Sequence, residues 1–129
     1  MQNLINDKIR SVVRENYGKV AEAGNGCGCA PSCCGDNQTT QSTEDISIAL
    51  GYSSRDVSTI PAGANMGLGC GNPQAIASLQ VGEIVLDLGS GGGFDCFLAT
   101  KAVGEHGKVI GVDMTPEMIA KARKNVEKT

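Results

Sequence analysis

Six cysteines and two aspartates set beside glycine are the residues of this sequence whose types and spacing could do chemistry. Cys27, Cys29, Cys33 and Cys34 lie in one short run, Cys27-Gly28-Cys29-Ala30-Pro31-Ser32-Cys33-Cys34-Gly35. Structural zinc takes four thiolate or imidazole ligands in a tetrahedron, usually offered as two Cys-x-x-Cys knuckles, and this spacing departs from that pattern. Three of the four thiols could still grip a soft ion. The run fits equally a segment of easily oxidised cysteines, because thiol reactivity is set by the environment of each sulfur. Cys70 stands apart, in the middle of a second glycine-rich stretch, Gly67-Leu68-Gly69-Cys70-Gly71-Asn72-Pro73. Met66, Leu68 and Cys70 punctuate that stretch where a pure linker is uniformly polar, so we expect a loop that closes over a ligand.

The first of the two aspartates ends an apolar run, Ile84-Val85-Leu86-Asp87-Leu88, that breaks into Gly89-Ser90-Gly91-Gly92-Gly93. A short apolar run, glycines and then an amphipathic segment read as strand, tight turn and helix, which places a backbone-lined pocket at the strand's carboxyl end. A dinucleotide fingerprint needs a third glycine six positions into the motif, and Phe94 stands there, which weakens a nicotinamide dinucleotide reading. A phosphate-binding P-loop needs Gly-Lys-Ser/Thr, and no lysine stands near Gly93, which excludes ATP through that motif. The second aspartate, Asp113, closes the next apolar run, Lys108-Val109-Ile110-Gly111-Val112. A carboxylate at that place can accept hydrogen bonds from both hydroxyls of a ribose, so turn and acid together point to an adenosine ligand.

The elements that must position these groups follow from periodicity and punctuation. Leu4 to Tyr17 is an amphipathic helix that Gly18 weakens or ends, with a last turn to Ala23. Asp36 to Glu44 reads as an exposed loop, and Asp45 to Leu50 as a short helix or strand. Asp56 to Pro61 is expected to be extended, because Pro61 disfavours helix before it. Pro73 can open a helix that buries Ala75, Ile76 and Leu79 and ends before Gly82. A strand over Glu83 to Leu88, a helix over Phe94 to Val103 with Phe94, Phe97, Leu98 and Ala102 on one face, and a parallel strand over Lys108 to Asp113 complete a βαβ unit. Thr115 and Pro116 suit the start of a last helix that buries Met118, Ile119, Ala122 and Val126.

With 129 residues, the chain is at most one ordinary domain, and its net charge of −3 gives no electrostatic reason to expect nucleic acid. No run approaches the roughly 18 apolar residues of a membrane span, and Asp7, Lys8 and Arg10 interrupt any secretory signal, so we expect a soluble cytoplasmic protein with reduced thiols. Two Phe, two Tyr and no Trp against 18 Gly make a thin core and marginal stability.

These motifs resemble a class I S-adenosylmethionine-dependent methyltransferase, Val85 to Gly93 resembling its first motif and Val109 to Thr115 its second. A narrower similarity, to microbial arsenite methyltransferases, takes in Tyr17-Gly18, the cysteine run with Cys33-Cys34, Leu50-Gly51-Tyr52 and Gly67 to Pro73. The resemblance implies an α/β chain: the amino-terminal part of a Rossmann-like methyltransferase fold, with two parallel strands and flanking helices over 76–129, preceded by a helical, Cys/Gly-rich extension over 1–75. It implies that Cys70 is one of the thiolates that hold trivalent arsenic, and that Cys33 or Cys34 engages the arsenic or forms a disulfide during turnover. Asp87 and the turn residues Gly89, Ser90, Gly91, Gly92 and Gly93 would hold the methionine part of S-adenosylmethionine. Asp113 would take the ribose and Met114 the adenine, with Leu68 also in the cofactor-binding set.

The partners so implied are arsenite or its thiol conjugate and an external thiol reductant, in arsenic detoxification, with neither nucleic acid nor membrane. In that family two further substrate cysteines and the rest of a seven-stranded sheet follow the second helix, so this chain is expected to be an amino-terminal fragment with little activity of its own. Its first strand would then have a bare edge, through which the chain would associate with itself. Cys96, inside the helix after the turn, is placed for a core or redox-active thiol and not for a ligand. Two other readings stay open: a non-catalytic thiol module that sequesters As(III) or a soft metal, and a methyltransferase acting on a small organic acceptor.

Overall fold

The computed structural model describes residues 2–23 and 42–129. The segment with Cys27, Cys29, Cys33 and Cys34 lies outside the described residues, as do the first six residues of the run from Asp36 to Glu44, of which Thr43 and Glu44 are helical.

Helix α1 (Gln2–Ala23) runs through Gly18 without a break, where the sequence allowed either a weakening or an end, and its last turn reaches Ala23 as expected. A glycine costs a helix about 1 kcal/mol relative to alanine, and packing offsets that cost here. Gly18 is buried, and a Cβ there would stand 3.2 Å from the Glu117 carboxyl group, so its bareness lets another helix come close. Leu4, Ile5, Ile9 and Val12 all stay more than half exposed, so the apolar stripe is covered only toward the carboxyl end, at Val13, Val20 and Ala21. Helix α2 (Thr43–Ala49) opens on a capping box in which Ser42 and Asp45 each bond the other's backbone N–H. Ser53 and Asp56 do the same for α3 (Ser54–Ser58), which makes helical part of a stretch expected to be extended. Pro61 restricts only the residue before it, Ile60, so it leaves that capping box free to form.

The helix expected after Pro73 is one turn long, α4 (Gln74–Ala77), and it ends at Ser78 in the left-handed region with φ 49°. Its apolar residues are not a buried face: Ile76 is 83% exposed. The βαβ unit follows as β1 (Ile84–Leu88), α5 (Phe94–Val103) and β2 (Lys108–Val112), with the strands parallel and Asp87 opposite Gly111. In α5 the buried positions are Leu98, Ala99 and Val103, whereas Ala102 faces solvent. The last helix, α6 (Pro116–Val126), buries Met118 and the polar Asn125, half-buries Ile119 and Ala122, and leaves Val126 60% exposed.

Two small apolar clusters tie the first part of the chain to the second. Ala21 and Met66 pack with Met118, and Tyr52 and Val57 pack with Leu98. Such a core is as thin as the composition suggested. Among the described residues β1 pairs on one side only, and Ile84, Leu86, Leu88, Ile110 and Val112 are exposed apolar side chains of the two-stranded sheet. No helix among the described residues is long and apolar enough to cross a membrane.

Candidate cofactor cavity and thiol loop

The carboxyl ends of both strands open into a cavity of about 740 Å³, within the range of small-molecule sites. Its floor is the turn from Gly89 to Gly92 with Asp87 and Asp113, and its opposite wall is the loop from Ala64 to Gly69. The second glycine-rich stretch therefore does lie across the pocket of the first. Leu68 and Met114 are on the wall.

The turn is shaped by its glycines and by two side chains that hold its backbone. Gly89 and Gly91 have φ of 83° and 52°, a region side-chain-bearing residues rarely enter. A Cβ at Gly92 would stand 3.2 Å from the Ala64 carbonyl and 3.3 Å from that of Gly63, so turn and loop meet backbone to backbone. The Gly91 N–H donates to Asp113 Oδ2 at 2.9 Å, and the Thr115 N–H donates to Oδ1 at 2.8 Å. From the other side Asn125 Nδ2 donates to the Gly92 carbonyl at 2.9 Å. Gly93, counted with the cofactor residues from sequence, is not on this wall; it starts α5 with φ 95°.

Asp87 and Asp95 both face the cavity, and each is held by a neutral donor. The Cys96 thiol donates to Asp87 Oδ2 at 3.2 Å. Burial first, then the hydrogen bond to Asp87 and the charges of Asp87 and Asp95, push the Cys96 thiol up to about 12. It is a protonated orienting group at neutral pH, and the low thiolate fraction slows its chemistry. The Tyr52 hydroxyl lies 2.8 Å from Asp95 Oδ1 and 3.2 Å from the Gly71 carbonyl, with its ring edge-on to Phe94. Burial above all, with the Asp95 hydrogen bond and charge, raises the Tyr52 phenol well beyond its ordinary value. Burial also raises the Asp95 carboxyl, and the Asp87 charge adds to the shift, while the hydrogen bonds of Tyr52 and Gln74 oppose it.

Cys70 is an exposed free thiol one residue beyond the wall residue Gly69 and one before Gly71, whose carbonyl Tyr52 reaches. Cys33 and Cys34 lie outside the described residues, and no group of three potential metal-ligating side chains forms among those described. Sequence reasoning missed Tyr52, Asp95 and Asn125 as site-shaping residues. An acid in the first turn of a helix passes for a dipole-stabilising residue, and an asparagine on an amphipathic helix passes for its solvent face.

Residues 79–129 match a family model described as "Methyltransferase domain". That match takes in 51 of the 129 residues. That segment holds β1, the glycine turn, α5, β2, Asp113 and α6, and so supplies the cavity floor. The similarity to known proteins extends beyond residues 79–129. An arsenite methyltransferase of Halobacterium salinarum is 50% identical over 95% of this chain, which covers 32% of that protein. An arsenite methyltransferase of Aquipseudomonas alcaligenes is 46% identical over 46% of this chain and 16% of its own. A solved SAM-dependent methyltransferase from Aquifex aeolicus is 27% identical, with a TM-score of 0.42 over 69% of this chain and 42% of its own. The chain thus spans about a third of the length of the first of these relatives.

Proposed function

We propose that this chain supplies the cofactor-binding and first thiol parts of an enzyme that transfers a methyl group from S-adenosylmethionine to thiol-held trivalent arsenic. The observation that carries the proposal is the junction of two sites. The loop that walls the cavity is continuous with Cys70, and the 50% identity to an arsenite methyltransferase runs through both.

The residues present fit S-adenosylmethionine. Among the described residues the cavity wall carries Asp87, Asp95 and Asp113 and no Lys, Arg or His, so a phosphate-bearing ligand would meet like charge from them and no basic partner. An adenosine joined to a cationic amino-acid chain meets the opposite situation. Each Asp113 oxygen accepts one backbone N–H, and an ionised carboxylate has about four acceptor sites, so capacity for ribose hydroxyls remains. Asp87, oriented by Cys96, and the bare turn would receive the methionine part, and Met114 would lie against the base. When bound, the cofactor supplies an electrophilic methyl group on a sulfonium.

Cys70 is one arsenic ligand in this reading, with Cys33 or Cys34 a second. Thiolates suit As(III) because it is a soft centre, and a pyramidal sulfur site leaves its lone pair free as the nucleophile, so no general base is required. An external thiol restores reduced cysteines, and arsenic detoxification is the biological role.

The test is a pair of equilibrium titrations of the reduced chain, one with S-adenosylmethionine and one with arsenite, repeated on Cys70→Ser and Asp113→Ala. The expected result is that Asp113→Ala loses about tenfold or more in cofactor affinity and that Cys70→Ser weakens arsenite only. Tight arsenite binding indifferent to Cys70 would instead assign the thiols to a sequestering module.

A further inference from the structure

Asp95 is the cavity carboxylate to which that reading gives no task. Its place in the cavity is defined by Tyr52, whose hydroxyl lies between Asp95 Oδ1 and the Gly71 carbonyl. Gly71 follows Cys70, so Asp95 stands on the side of the cavity nearest the thiol loop. That is the side to which a transferable methyl group must point if Cys70 holds the acceptor. The Asp95 side chain is half-buried on the cavity wall; the Tyr52 hydroxyl donates to Oδ1, and the Gln74 amide, which donates to the Asp95 backbone carbonyl, also lies close enough to the carboxyl to lower it. Neither is a cation, so the carboxylate charge is left uncompensated toward the cavity.

We infer, resting on the cofactor reading above, that Asp95 is a specificity-determining residue whose carboxylate favours the sulfonium form of the cofactor over its neutral thioether product. S-adenosylmethionine carries a sulfonium, an ammonium and a carboxylate, and so one net positive charge; loss of the methyl group leaves a thioether and a net charge of zero. Asp113 faces a ribose and Asp87 an amino-acid chain, both of which the two forms share. Only a carboxylate at the sulfonium discriminates between them. A charge contact in a partly desolvated cavity is stronger than in water, so the preference falls away with the methyl group and product leaves more readily than cofactor. Burial and the Asp87 charge disfavour the ionised Asp95, and a cationic ligand would offset both.

The experiment measures dissociation constants of the full chain for three ligands. They are S-adenosylmethionine, S-adenosylhomocysteine, and sinefungin, which carries an ammonium in place of the sulfonium. Each is compared with Asp95→Asn, which keeps an acceptor for Tyr52, and with Asp95→Glu, which keeps the charge. The expected result is a loss of about tenfold for the two cationic ligands in Asp95→Asn, a change under about twofold for S-adenosylhomocysteine, and at least partial recovery in Asp95→Glu. Raising salt on the unmodified chain should weaken the cationic ligands more than the neutral one, which tests the inference without any variant. Equal loss for all three ligands would make Asp95 a structural residue, and three unchanged dissociation constants would leave it without a role; either overturns the inference while the cofactor reading stands. Failure of the unmodified chain to bind any of the three would overturn both.

Discussion

Cys96 offers the sharpest check on how the carboxylate of Asp87 is held. Its thiol donates to Asp87 Oδ2 at 3.2 Å and is pushed from an ordinary 9.0 up to about 12, first by burial and next by Asp87. Three decades of pKa mean about 10³-fold less thiolate at a pH below both values. The thiolate that does form is more basic, and a Brønsted slope near 0.45 returns about 20-fold in intrinsic reactivity. The net expectation is that iodoacetamide modifies Cys96 about 50-fold more slowly in the folded chain than in the same chain unfolded in urea. Peptide mapping by mass spectrometry after timed quenching at about pH 8 separates Cys96 from the other five cysteines. Asp87→Asn removes the acceptor charge and should speed Cys96 labelling several-fold, leaving the slowing that burial alone causes. Equal rates in the folded and unfolded chains would refute the reasoning: the sulfur would then be free of Asp87, and nothing in α5 would orient that carboxylate.

Two further outcomes concern the frame of the site. Asn125 is 1% exposed and donates to the Gly92 carbonyl, so Asn125→Ala should cost about 1–3 kcal/mol, read as a lower thermal midpoint, and an unchanged midpoint would mean the turn holds itself. Asp95 has a folded-state carboxyl raised above its unfolded 3.8, so its contribution to stability is present below that value and lost as pH rises through the higher folded one. Asp95→Asn should therefore be more stable than the unmodified chain at neutral pH, with the difference shrinking toward acid. Thermal melts of both proteins across that range isolate this group, because the lowered carboxyls of Glu15 and Asp45 are common to both.

The parts of the fold that were legible in the sequence are those in which local chemistry and packing agree. β1, α5 and β2 came out with boundaries within a residue, because apolar runs between glycines leave little choice of register or length. The misreadings share one cause, which is punctuation weighed without its three-dimensional partner. Gly18 reads as a weak point or an end until Glu117 packs against it, and Asp56 to Pro61 reads as extended until the Ser53 and Asp56 capping box is counted. Ile76 reads as core by spacing, yet a one-turn helix ended at Ser78 is too short to bury a face.

In the site, the residues that could be read were those that a motif places by chain position: Asp87, the glycines and Asp113. The residues that aim them come from elsewhere in the chain, and no spacing announces them. Tyr52 meets Asp95 across 43 residues and Asn125 meets Gly92 across 33. The division has a physical basis. A ligand lies on backbone and carboxylates at strand ends, which a local pattern encodes, whereas orientation is supplied by whichever neutral donor the packing delivers. In this chain the donors are a thiol and a phenol. Both are protonated at neutral pH, so they can fix acidic groups without cancelling the negative charge that a cationic ligand requires. A lysine or arginine in either place would hold its carboxylate more tightly and cancel part of the negative charge of the cavity wall.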